Sequence, residues 1–170
     1  MTTTYRYAKD EELFFKDFRS AFARLLANGT AQSPDTVSVD PEEQRTLASK
    51  EFREQSMHGS QQKVLQYMPQ ADVHEVEAGS SRSALHKAAF WGHTHLMPIL
   101  LEQAKIDPNL QDSEGDTALH DASRFGHTEV VEKLVAFGAD RDIKNNHGQT
   151  ATDVAILFDK QDTVAYYAKL

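Results

Sequence analysis

Eight histidines and no cysteine limit the chemistry open to this chain of 170 residues. Without thiols there is no disulfide framework, no thiolate zinc site and no cysteine nucleophile. His93-Thr94-His95 hints at a metal, but no third ligand stands nearby at a recognisable spacing, and no metal site is expected. The acidic runs Asp10-Glu11-Glu12 and Glu42-Glu43 read as solvated faces, not as acid–base couples. There is no glycine-rich phosphate loop. What remains are side chains suited to holding another protein. Phe90-Trp91, Arg124-Phe125 and Leu157-Phe158 each stand just before a turn. Large apolar residues with an arginine are the types that carry most of the energy of protein interfaces.

These pairs recur because the chain repeats itself. Ser83-Ala84-Leu85-His86-Lys87-Ala88-Ala89-Phe90-Trp91-Gly92-His93 returns 34 positions later as Thr117-Ala118-Leu119-His120-Asp121-Ala122-Ser123-Arg124-Phe125-Gly126-His127. Gly148-Gln149-Thr150-Ala151 opens a further unit, 33 positions after Gly115-Asp116-Thr117-Ala118. A fixed period of this length means stacked supersecondary units with an extended surface and no built-in cleft. In the unit 115–147 a first helix is predicted from Ala118 to Phe125, with a turn at Gly126-His127-Thr128. A second helix follows from Glu129 to Phe137, with Val130, Val131, Leu134 and Val135 on one face. Gly138 stands where a helix end wants a positive φ, and Asn145-Asn146-His147-Gly148 supplies turn chemistry.

The unit resembles the ankyrin repeat. That family's Thr-Pro-Leu-His segment, Ala-Ala, Gly-His, Val-Val helix and Gly-Ala-Asp are matched nearly throughout. Ala118 departs from the usual proline and Ser123 from the second alanine. The unit 82–114 matches as well, with Pro98 inside its second helix, which is therefore expected to start late or to bend. Gln103 to Asn109 replaces Gly-Ala-Asp with one residue more, which accounts for the longer period. In the last unit Thr152 and Asp153 replace Leu and His, and Asp159 replaces the turn glycine, as befits a capping repeat. Upstream, Gly59 lies 33 positions before Gly92 and Phe52 takes the place of Leu85. Val64, Leu65 and Met68 give that unit its second helix.

The resemblance implies an all-α ankyrin-repeat solenoid of about four repeats over residues 48–170, the first and last being degenerate caps. It implies that His86, His120, His93 and His127 hydrogen-bond backbone and tie repeats together. It also places the two residues before each turn at the end of the first helix, facing the concave side. His58, Trp91, Phe125 and Phe158 then form a row, with Met57, Phe90, Arg124 and Leu157 beside it. Partner contact is the expected use of this row. Packing between repeats and cover for the chain's own N-terminal helix are the competing uses. At the loop tips Glu114 and Asp116, with Ser113, and His147, with Asn146 and Gln149, are polar and placed to tune specificity.

Residues 1–30 are expected to form an amphipathic helix and 31–47 a linker. From Asp10 to Ala27, Phe14, Phe15, Phe18, Phe22, Leu25 and Leu26 make one apolar face, stopped by Asn28-Gly29. Packing on the first repeat as a cap is the expected disposition. Lying in the concave groove and binding a partner are the alternatives. Tyr7 through Leu26 also resembles the C-terminal helix of class I haem peroxidases, the cytochrome c peroxidase type. The haem pocket of that family lies in other segments, so no haem ligand carries over and no peroxidase activity is implied.

A net charge of −8 opposes binding to nucleic acid and to anionic membranes. No stretch approaches the roughly 18 apolar residues of a membrane span. The polar start and its acids argue against a signal or transit peptide, so the cytoplasm is the expected compartment, with the nucleus also open. The expected function is a non-catalytic, monomeric protein-interaction module that needs no cofactor: an adaptor, an inhibitor or a dedicated chaperone. The alternative is a redox-linked protein related to a haem peroxidase through the N-terminal helix, without a haem site of its own.

Overall fold

Proline at the first helical position costs no hydrogen bond, and acidic residues in the first turn favour the helix dipole. Pro41, Glu42 and Glu43 meet both conditions and open helix α1, Pro41–His58. This corrects the expected linker, which was to run to residue 47. Pro41 acts there as a helix start and not as loop punctuation. The computed structural model describes residues 40–170. The expected N-terminal helix, its capping role and the peroxidase-like stretch lie outside the described residues. The chain divides into two units, 1–41 and 42–170, and the second is the subject below.

After α1 come α2 (Gln61–Tyr67), α3 (Ala84–Phe90), a 3-10 turn (Thr94–Leu96), a π-helical turn (Ile99–Gln103), α4 (Ala118–Phe125), α5 (Thr128–Ala136), α6 (Ala151–Leu157) and α7 (Gln161–Tyr167). Every regular element among the described residues is helical. The first helices α3, α4 and α6 lie side by side, and α5, α7 and the 3-10 turn form a layer behind them. The loops stack as well: Ser113 N–H donates to the Ser80 carbonyl at 2.9 Å, and Asn146 N–H to the Glu114 carbonyl at 3.0 Å.

The helix starts follow from capping. Ser83, Thr117 and Thr150 precede α3, α4 and α6 in extended backbone, each in a reciprocal capping box with the residue three positions on, His86, His120 and Asp153. This cap lets α4 begin at Ala118 without the proline that the repeat pattern usually places there.

Pro98 and the extra residue of the 82–114 unit are accommodated together. With no N–H, Pro98 cannot make the bond back to Thr94 that an α-helix requires. The Met97 N–H bonds the Thr94 carbonyl instead, closing a 3-10 turn. Beyond Pro98 the Ala104 N–H reaches back five residues to the Ile99 carbonyl at 2.9 Å. A π turn holds one more residue than an α turn, so it absorbs the insertion.

The core is a continuous column running from unit to unit. Leu85, Leu96, Leu100, Leu119, Val130, Val131 and Leu134 are fully buried, with Ala84, Ala88, Ala118 and Ala122 between them. Alanine at these places lets the first helices approach closely. Phe52 and Val64 of the degenerate first unit join the same column. Leu65, expected on the apolar face of that unit, is exposed instead. It directly follows Val64, which takes the inward position, and adjacent residues on a helix point about 100° apart.

Candidate protein-interaction surface

Four histidines lock the units together. The His86 Nδ1 accepts the Ser83 N–H at 3.3 Å and lies 2.9 Å from the Ser83 hydroxyl. Since Nδ1 is the acceptor, Nε2 carries the proton and donates to the Asp116 carbonyl of the next unit at 3.0 Å. His120 repeats this on Thr117 at 3.2 Å and 2.9 Å, and donates to the Gln149 carbonyl at 3.0 Å. Burial lowers the pKa of both imidazoles, and the backbone carbonyls partly offset it. In the next unit Asp153 keeps the inner half of the motif, accepting from the Thr150 N–H and hydroxyl. A carboxylate has no outward donor to match Nε2.

The other pair reaches the opposite way. His93 Nε2 lies 2.7 Å from the Met57 carbonyl, and His127 Nε2 3.0 Å from the Phe90 carbonyl. Each ring fills the place that a Cβ would occupy on the preceding turn glycine. A methyl on Gly59 or Gly92 would fall within 2.6 Å of the His93 or His127 ring. Both glycines also have positive φ, 72° and 74°. The Gly-His turn is thus a two-repeat lock. His95, adjacent in space to His93, is committed to the Gly59 carbonyl at 2.9 Å.

With the histidines engaged in the scaffold, the residues before the turns form the free surface. Trp91 is 57% exposed, Phe125 41%, Leu157 62% and Phe158 47%. Ile156 adds to the same end at 59%. Phe90 is half-buried and stitches the row together, its ring 5.5 Å from Trp91 and 4.3 Å from Phe125. The Arg82 guanidinium lies over Phe90 at 5.1 Å, and that of Arg124 over Phe158 at 5.7 Å. An arginine thus lies over an aromatic ring at two places along the row.

The loop tips divide. Glu114 and His147 are exposed, as expected of residues that could touch a partner. Asp116 is 2% exposed and is structural. Its carboxylate holds Arg124 at 2.5 Å and accepts from Asn145 at 2.8 Å, and its carbonyl receives His86. Three partners from three segments draw it inward, which corrects its expected place at a tip.

Ion pairs run beside the row, and Arg82, just before α3, hides a carboxylate that the sequence does not single out. Arg82 pairs with Asp121 and, at 3.5 Å, with Asp112. Asp121 is wholly buried and its Oδ1 has no hydrogen-bond partner. Burial raises its pKa to about 7, against the opposing pull of Arg82. The available signal was the offset of Arg82 and Asp121 by one repeat plus five residues, which places them face to face when units stack. Toward the first unit, Lys87 pairs with Glu77 at 2.7 Å and Glu54 at 3.8 Å, and Arg53 with Glu75 at 3.1 Å. Among the described residues no group of three or more His, Asp or Glu is placed to hold a metal ion. None of the described helices is long and apolar enough to cross a membrane.

The family model for ankyrin repeats matches residues 55–145 and 85–168. Protein phosphatase 1 regulatory subunit 12A of Mus musculus is 37% identical over 100 residues, which is 59% of this chain and 9% of that protein. A transient receptor potential cation channel subfamily A member 1 homolog of Caenorhabditis elegans is 37% identical over 81 residues, 48% of this chain and 7% of that protein. The chain thus spans a small fraction of these relatives. It spans most of another: the human Notch-regulated ankyrin repeat-containing protein is 32% identical over 102 residues, 58% of this chain and 90% of its own length. The family match covers the repeats, and these comparisons lend no support to the peroxidase resemblance of the N-terminal stretch. The capping boxes, the Gly-His locks and the family match agree, and the chain belongs to the ankyrin-repeat family.

Proposed function

We propose that this protein is a non-catalytic interaction module, an adaptor, inhibitor or dedicated chaperone, that acts as a monomer in the cytoplasm or nucleus. Its partner protein docks on Phe90, Trp91, Arg124, Phe125, Leu157 and Phe158, with Glu114 and His147 touching its edge. The observation that carries this reading is the exposed aromatic and aliphatic row on a scaffold whose four locking histidines and core are otherwise engaged. An ankyrin-repeat relative named as a phosphatase regulatory subunit agrees with a role of that kind. The test begins with affinity purification of the partner on the wild-type protein. Trp91→Ala and Phe125→Ala are then each expected to weaken its binding by roughly 1–3 kcal/mol in calorimetry, as truncations at an interface centre do. Full affinity in both variants, with folding intact by circular dichroism, overturns the assignment.

A further inference from the structure

The ion pairs beside the aromatic row are turned in opposite senses from one unit interface to the next. Where α1 meets α3, the bases are inside and the acids outside. Arg53 and Lys87 are 10% and 11% exposed, whereas their partners Glu75, Glu54 and Glu77 are 36%, 35% and 40% exposed. Around the start of α4, which faces α3, the acids are inside. Asp112, Asp116 and Asp121 are buried beneath Arg82 and Arg124, whose guanidinium groups are turned onto the Phe90 and Phe158 rings. The carboxylate rim adjoins the apolar row. Lys87 is one helical turn before Phe90 and Trp91, and Glu54 one turn before Met57 and His58, so their side chains are neighbours on the helix surface.

We propose that the occupant of this row is a basic segment of the partner protein, with apolar anchors on Trp91 and Phe125 and lysine or arginine side chains on Glu54, Glu75 and Glu77. This rests on the docking reading above and adds the chemical class of the ligand. Three half-exposed carboxylates face two more deeply covered bases at that rim, leaving an excess of negative charge for an approaching chain. An acidic segment would meet it unscreened. It would find Arg82 and Arg124 already engaged with buried aspartates. Electrostatic complementarity of this kind selects partners and sets the direction in which they bind. A second copy of this chain, also at −8, is disfavoured by the same charge.

The test is selection from a random peptide library displayed on phage, with the full-length protein as bait. Selected peptides lacking tryptophan are then titrated against the fluorescence of Trp91, the one tryptophan in the chain. The expected peptides carry lysine or arginine next to leucine or phenylalanine and shift the Trp91 emission saturably. Their affinity falls about tenfold in the Glu54→Gln/Glu75→Gln/Glu77→Gln variant, and salt weakens their binding to the wild type. The salt titration needs no variant and stands if the triple substitution impairs folding. Neutral or acidic peptides that need Trp91, or binding indifferent to salt, overturn the basic class while leaving the docking row in place. Binders untouched by Trp91→Ala, or a library yielding none, overturn both. A dimer in sedimentation that hides Trp91 overturns the heterologous partner in favour of a second copy.

Discussion

Asp121 sits far from the ordinary state of a carboxylate. A carboxylate buried with one oxygen unpartnered is costly to ionise, even beside an arginine. Its folded-state pKa near 7 lies above the unfolded value of 3.8. The folded protein therefore holds a proton that the unfolded chain releases. The resulting stabilisation is complete below 3.8 and is lost as the pH rises to about 7. Asp121→Asn removes this dependence. The melting temperature of the variant relative to wild type is expected to climb as the pH is raised through that window, then to level off. A difference that stays flat across the window contradicts the burial account. Ser123 gives a second lesson at this scale. It departs from the repeat's alanine and is buried with its hydroxyl 2.8 Å from that of Tyr167 in α7. Burial pushes the Tyr167 pKa up to about 12, so the phenol stays protonated.

At the scale of elements, the turns show where the repeat pattern is obeyed at a cost. Gly92 and Gly126 end their first helices with φ of 74°, and in the last unit Asp159 adopts φ of 54° at the same place. Aspartate tolerates this left-handed region better than most residues but still with strain. Asp159→Gly is expected to stabilise the protein by about 0.5–1 kcal/mol in urea denaturation, net of lost contacts and added chain entropy. A destabilised variant means that the Asp159 carboxylate, which accepts from the Gln161 side chain at 2.7 Å, outweighs the backbone strain. The segment around Pro98 is the converse case. There the backbone itself changed, splitting one expected helix into a 3-10 turn and a π turn, because neither a missing N–H nor an inserted residue fits an α-helical ladder.

For the whole molecule, stability and binding are assigned to different surfaces. The buried column holds the stack, and the row at the helix ends stands outside it. Leu119, wholly buried in the central unit, is expected to cost about 2–5 kcal/mol on substitution by alanine. Trp91→Ala should cost no more than about 1.5 kcal/mol, since the ring is 57% exposed and its main contact is the edge-on one with Phe90. Urea denaturation of the two variants checks this. A large loss for Trp91→Ala would mean that the row belongs to the packing between repeats. Each unit contacts only its neighbours, so Leu119→Ala is also expected to broaden the transition by uncoupling the flanking units.

The sequence by itself determined the repeat length, the helix–turn–helix order of the units and the burial of the leucine and valine column. These are local or periodic: a repeat shows as a fixed offset, and an apolar face needs helical spacing. The candidate row was legible for the same reason, because Trp91, Phe125 and Phe158 keep one phase relative to their turns. Tertiary structure decided what depends on the neighbouring unit. It drew Asp116 out of its loop tip and hid Asp121 under Arg82. It left Leu65 outside, and it turned the ion pairs inside out from one unit interface to the next. Those outcomes depend on which groups meet across a distance of one repeat and on how deeply they are buried. Spacing along a chain carries no measure of the desolvation that sets the balance.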